Sequence, residues 1–147
     1  MLWPFVWVWA PLTKRARAII LVGDQVLVVK NWFGSGRWQL PGGGIQRGET
    51  AAQATEREVL EELGIQVTQG EAITKGAHTH VSTGIVFREH FTLYRLEHKP
   101  IIQASKEIAR YEWRSDNKVA APLRIRLLIG AYQKSHRKNN KSTETTA

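Results

Sequence analysis

The sequence predicts one α+β domain, and three stretches carry that expectation. The runs ARAIILV (16–22) and QVLVVK (25–30) are rich in β-branched residues and flank a Gly23-Asp24 turn, the pattern of a β-hairpin. Thr50 to Leu63 contains no Gly or Pro and is dense in Ala, Glu, Leu and Arg, with Gly64 where a helix C-cap belongs. Pro122 then opens a second helical run, PLRIRLLIGAYQK. At 147 residues, 42% hydrophobic and 23% charged, the chain has the size and composition of one soluble globular domain, and no internal repeat divides it.

In chain order, MLWPFVWVWAPL comes first and holds three of the six tryptophans. Its apolar run falls short of the roughly 20 residues that span a bilayer, and its positive charges follow it, unlike those of a secretory signal. We read residues 1–16 as an apolar segment packed on the domain, with Trp3, Phe5, Trp7 and Trp9 alternating along extended chain; attachment to a membrane interface is the less favoured alternative. The hairpin follows. NWFGSGRWQLPGGG (31–44) reads as a glycine-rich loop broken by a short strand at Trp38 to Leu40. After the first helix, IQVTQGEAITKGAHT (65–79), GIVFREHFTLYRL (84–96) and IARYEW (108–113) are strand-like. The domain is expected to end near residue 132, leaving 133–147 as a basic, disordered tail without apolar periodicity.

Composition narrows the chemistry. With no cysteine there is neither a disulfide framework nor a thiolate nucleophile, any metal must take oxygen or imidazole ligands, and a reducing cytoplasm is compatible. The formal net charge of +8 favours anionic partners such as phosphate-bearing small molecules, nucleic acid or an anionic membrane.

Against that charge, EREVLEELG (56–64) concentrates four glutamates. On a helix, Glu58, Glu61 and Glu62 share one face with the small Ala51 and Ala54, while Ala52, Val59 and Leu63, with Leu60 beside them, form the stripe to bury. Like charges at these spacings cost about 0.2–0.5 kcal/mol per pair without a compensating cation. Such a cluster can seat a hard divalent ion, or it can simply be a solvated acidic face.

The flanks decide between these readings. Gly43, five residues, Glu49, seven residues, Arg57-Glu58, Val59, one residue, Glu61-Glu62, one residue, Gly64 and Ile65 match every defined position of the Nudix box, so the chain resembles the Nudix hydrolases of the MutT-like type. The preceding GRWQLPGG (36–43) is also similar to the family, as is the order hairpin, loop, helix, strands, helix. The resemblance implies an α/β/α sandwich around a mixed sheet. It further implies hydrolysis of a nucleoside diphosphate linked to another group, with Mg²⁺ or Mn²⁺ as cofactor. By similarity Glu58, Glu61 and Glu62 are the metal ligands, the Gly42 carbonyl is a further ligand, and Glu49 with Arg57 forms the box's supporting ion pair. The family's general base is either a box glutamate, here Glu61 or Glu62, or a later glutamate. Glu107, six residues before Trp113, resembles the latter, with Glu112 its rival.

Other candidates rest on residue type alone. Lys30 and Arg37 suit phosphate contacts or plain solvation; Trp32 and Phe33 suit base stacking or packing; Trp38 is assigned to the core. His78 and His80 are read as holding no ligand, and PGGG lacks the Gly-Lys-Ser/Thr of a P-loop. Glu56 sits at an unspecified position of the box. HTHVSTG (78–84) carries neither the proline nor the tyrosine that marks the family's ADP-ribose and dinucleoside polyphosphate hydrolases. Elimination leaves a nucleoside or deoxynucleoside triphosphate cleaved to monophosphate and pyrophosphate. The alternatives are a nucleotide-binding protein that does not cleave, and an RNA-binding or RNA 5′-end processing protein; no obligatory nucleic acid is expected.

Overall fold

The computed structural model describes residues 14–34, 36–73, 78–82 and 85–144, of which 78–82, 85 and 86 by their backbone alone. The Trp-rich segment of residues 1–13, expected to pack on the domain, and the histidine side chains at 78 and 80 lie outside the described residues. β1 (Lys14–Val22) starts three residues before the expected domain boundary and organises the sheet. It pairs in parallel with β6 (Ile85–Leu96) from Lys14↔Arg88 to Val22↔Leu96. Its other edge is shared: the tip pairs with β2 (Gln25–Asn31) across the Gly23-Asp24 turn, and the start pairs with β3 (Gly42–Gly44). β7 (Ile108–Arg114) extends β2, while β4 (Glu71–Ala72) and β5 (His78–Ser82) pair with β6. The hairpin expectation holds, and Gly23 has the positive φ, 59°, that a tight turn of this kind requires.

Strand alternation then builds two cores. Ala18, Ile20, Leu27 and Val29 point to one face, where Val59 and Leu63 of α1 (Ala51–Leu63) cover them; Ile19, Leu21, Val26 and Val28 point to the other, covered by Ile125 and Ile129 of α2 (Leu123–Glu144). Helix, mixed sheet and helix form the three layers of the expected α/β/α sandwich.

α1 is bounded as its sequence dictates. Thr50 Oγ1 accepts from the Gln53 amide at 3.1 Å while Gln53 Oε1 accepts from the Thr50 amide at 2.9 Å, a capping box; Gly64 closes the helix at φ 67°. Its buried stripe differs from the expected one. Ala52 and Leu60 are exposed, and Ala54, Thr55, Glu58, Val59, Glu62 and Leu63 are buried. The helix is rotated so that two carboxylates face inward, because the glycine backbone of β3 leaves room for them.

Three further expectations are corrected. The glycine loop contains β3, whereas Trp38 to Leu40 forms only a bridge between Gln39 and Val29. Residues 65–73 run mostly irregular, with only Glu71–Ala72 as strand, since Ile65 and Val67 bury as core-filling loop residues rather than as a ladder. The residues 133–147 read as a disordered tail are helical through Glu144 as far as they are described. The physical reason is polar anchoring: buried Gln133 donates to the carbonyls of Arg114 and Asp116, and Arg137 pairs with Asp24 at 2.8 Å and donates to the Ser115 carbonyl. Among the described residues no helix is long and apolar enough to cross a membrane.

Candidate active site

The site forms where β3 passes under α1, at a separation only glycine permits. A Cβ at Gly42, whose φ is 145°, would meet the Ala16 carbonyl oxygen at 2.0 Å, and one at Gly43 would meet the Glu58 carboxylate at 2.5 Å. This closeness lets the Gly42 amide donate to Glu62 Oε2 at 3.1 Å. Glu58 and Glu62, one turn apart, are therefore both buried against β3.

Arg57 ties the approaching loop to the helix. Its guanidinium donates to Glu49 Oε1 at 2.6 Å and Oε2 at 3.1 Å, to Glu58 Oε1 at 2.9 Å, to Glu61 Oε2 at 3.3 Å and to the Gly44 carbonyl at 2.9 Å. The fork geometry of arginine allows one side chain to hold all of these at once. The Glu49 hydrogen bond, reinforced by Glu58, raises Arg57 above the usual guanidinium range, and the same bond holds Glu49 below the usual carboxylate range.

Burial acts in the opposite direction on the inner pair. It raises the Glu58 carboxyl against the opposing pull of Arg57, and it pushes Glu62 up to about 8, with the nearby Glu58 charge adding and the Gly42 amide and Arg17 subtracting. Burial thus disfavours the charged form of both carboxylates.

The structure brings Glu107 to the same place. The Gln103 amide donates to the Leu63 carbonyl and the Ser105 amide to that of Glu62, both at 2.8 Å, so the segment before β7 docks on the C-terminal end of α1. Exposed Glu107 then lies near enough for its charge to raise both Glu58 and Glu62. Its carbonyl accepts from the Trp32 amide at 3.2 Å, which places Trp32 and Phe33, 68% and 98% exposed, on the adjoining loop. Glu112, by contrast, pairs with Arg114 at 3.7 Å on β7.

Lys30 and Arg37 make no hydrogen bond or ion pair with these carboxylates among the described residues. Arg37 is exposed, and the Lys30 ammonium sits 4.6 Å from the centre of the Trp38 ring. Trp38 is only partly buried: one part packs on the α2-side core while Lys30, Arg110 and Arg114 surround its ring. Sequence reasoning missed Arg17, which donates to the Leu40 carbonyl at 3.2 Å, pairs with Glu89 at 3.4 Å and supports the charge on Glu62. The available signal was a cation on the strand face it shares with Ile19 and Leu21.

Among the described residues no three carboxylate or imidazole side chains already converge on one point as a metal site, because Arg57 holds both Glu58 and Glu61. The donor chemistry nonetheless fits a hard divalent cation: Glu58, Glu61 and Glu62 supply oxygen donors, two of them are buried, and their resistance to ionisation is what a cation would relieve.

Comparison with known proteins identifies the family. Residues 12–129 match the family model described as NUDIX domain. The CTP pyrophosphohydrolase of Escherichia coli K12 is 35% identical over 81 residues, covering 51% of this chain and 60% of that protein. The oxidized purine nucleoside triphosphate hydrolase of Danio rerio is 53% identical over 59 residues, 37% of this chain and 38% of that one. An RNA pyrophosphohydrolase of Shewanella baltica OS155 is 34% identical over 76 residues, 52% and 37% respectively. The matched stretches therefore span less than two thirds of each relative. Among solved structures, the E. coli dihydroneopterin triphosphate pyrophosphohydrolase superposes with a TM-score of 0.69 at 21% identity, covering 86% of this chain and 97% of that one, which bears on the fold. The Francisella tularensis bifunctional NMN adenylyltransferase/ADP ribose pyrophosphatase, complexed with AMP and Mn ion, gives 0.56 at 25% identity, covering 74% and 36%.

Proposed function

The chain belongs to the NUDIX domain family, and from that membership we propose that it is a divalent-metal-dependent pyrophosphohydrolase that cleaves a nucleoside or deoxynucleoside triphosphate to monophosphate and pyrophosphate. The observation that carries the reading is the buried pair Glu58 and Glu62, Glu62 held by the Gly42 amide of β3 and Glu58 by Arg57 of the Arg57–Glu49 ion pair, with Glu107 near enough for its charge to act on both. The names of the E. coli and Danio rerio relatives support a triphosphate substrate.

Glu58, Glu61 and Glu62, with the Gly42 carbonyl, would hold the ion, for which we propose Mg²⁺, with Mn²⁺ as a substitute. When bound, it neutralises phosphate charge and activates water for attack on phosphorus. The protein's own residues do the rest. Water forms a bond to phosphorus as the bond to the bridging oxygen breaks, pyrophosphate leaves, and a carboxylate takes the proton from water; exposed Glu107 and box residues Glu61 and Glu62 are the candidates. Arg57 is a positioning residue, since every hydrogen bond it makes fixes another box group. Trp32 and Phe33 offer exposed ring faces beside Glu107 for a nucleobase, and Arg37 an exposed cation for phosphate. A cytoplasmic setting fits a cysteine-free chain acting on nucleotides.

The test is a panel of ribo- and deoxynucleoside triphosphates with Mg²⁺ or Mn²⁺, products resolved as phosphate or pyrophosphate. Pyrophosphate release, reduced at least about 100-fold in Glu61→Gln and Glu62→Gln, is the expected result. Full activity in both variants would overturn the reading. The Shewanella relative's name favours a second substrate, a 5′-triphosphorylated RNA, to be included in the same panel.

A further inference from the structure

The C-terminal half of α2 presents a face that the carboxylate site does not use. From Gln133 to Glu144 the helix has no apolar side chain. Its rotation is fixed by the body of the protein: Ile125, Ile129 and Gln133, four apart, are buried, and Arg137 is committed to Asp24 and the Ser115 carbonyl. At about 100° per residue, Lys134, Lys138 and Lys141 then share the side turned away from the body. All three are exposed, and Lys141 also has an interaction within the chain. They span about 10 Å of helix axis at 1.5 Å per residue, the length of about three steps of a nucleic-acid strand at ~3.4 Å each.

We propose that this lysine face binds the sugar–phosphate backbone of a nucleic-acid strand. The charge complementarity is direct: a row of ammonium groups on a rigid helix, in a chain of net charge +8, meets a row of phosphates. An anionic bilayer is the competing polyanion, but interfacial helices insert apolar side chains, and this stretch has none to insert. Leu123 and Leu127, 62% and 61% exposed, lie on the same side but earlier on the helix, Leu127 about two turns before Lys134. The interaction is independent of the hydrolytic reading, because these lysines lie outside the box and the binding needs no turnover.

The test is fluorescence anisotropy of the full chain with a labelled single-stranded oligonucleotide of about 20 nucleotides, titrated at several salt concentrations. For K134Q/K138Q/K141Q we expect at least tenfold weaker binding at the lowest salt and a log K against log salt slope shallower by about 2, since each phosphate contact on a single strand contributes about 0.7. K99Q/K118Q/R124Q removes the same charge from exposed positions elsewhere and is expected to change binding less than twofold. K134R/K138R/K141R keeps the charge and should keep the wild-type slope, which separates lost contacts from lost helix. The proposal is overturned by no binding of wild type at low salt, by equal losses in the two glutamine and control triples, or by loss in the arginine triple. It is equally overturned if the lysines support binding to phosphatidylserine vesicles but not to the oligonucleotide.

Discussion

The carboxylate of Glu58 lies against the backbone of Gly43, so close that a Cβ there would stand 2.5 Å from Cδ and 2.6 Å from Oε1. Glycine at this position keeps the carboxylate in its inward place. Gly43→Ala is expected to push Glu58 aside at small cost to stability, because the end of a side chain moves more readily than a backbone. Hydrolysis should fall at least about tenfold and half-saturation should require more Mg²⁺. A metal titration of activity beside a thermal melt checks this; an unchanged titration curve contradicts it.

Arg57 and Glu49 act as one unit. Lysine cannot reproduce the two parallel hydrogen bonds to Glu49 and the reach to Gly44, so Arg57→Lys is expected to lose activity by about 10–100-fold despite keeping the charge. Glu49→Gln should lose a similar amount, and the double variant little more than either alone. Fully additive losses would show that the two residues act separately.

The metal-free protein should become less stable as pH rises from about 4.5 to about 8. Glu62 titrates near 8 when folded, against an ordinary value of 4.5, so the folded state binds the proton more tightly. Its contribution is present below the unfolded value and is lost as pH climbs through the folded one. Glu49 and Asp116, both lowered by arginine partners, act in the opposite window and withdraw stability as pH falls below about 4. Thermal melts across pH are expected to show a maximum between these limits. Glu62→Gln should flatten the alkaline limb, and Mg²⁺ should raise the melting temperature most at pH 8.

Trp32 and Phe33 are too exposed to hold the fold together. Replacing each with Ala should leave the melting temperature within a few degrees. It should raise KM for nucleoside triphosphates by about 5–150-fold, the equivalent of the ~1–3 kcal/mol of one base stack, and leave hydrolysis of inorganic triphosphate unaffected. Equal losses on both substrates would assign the pair to loop structure.

Gln133 is buried with its amide on two carbonyls. Gln133→Ala leaves both unpaired and is expected to cost about 1–3 kcal/mol, measured by urea unfolding. A neutral result would detach the end of α2 from the fold.

The local chemistry of this protein was legible in its sequence. β-Branched runs around Gly23-Asp24 specify a hairpin, Thr50 and Gly64 bound a helix, and the order of Gly43, Glu49, Arg57, Glu58, Glu61 and Glu62 specifies the acidic site, because each depends on neighbours within about twenty positions. The tertiary structure decided what distant segments impose. It set the rotation of α1, burying Glu58 and Glu62 and leaving Leu60 and Ala52 outside, since the glycine backbone of β3 provides space at one side of the helix alone. It brought Glu107 to the site through carbonyls at the end of α1 and made a helix of a polar stretch that no periodicity marks, because Arg114, Ser115, Asp116 and Asp24 wait there as partners. Burial and long-range hydrogen bonds are properties of the assembled fold, and they turn part of an acidic helix face into a buried pair of carboxylates.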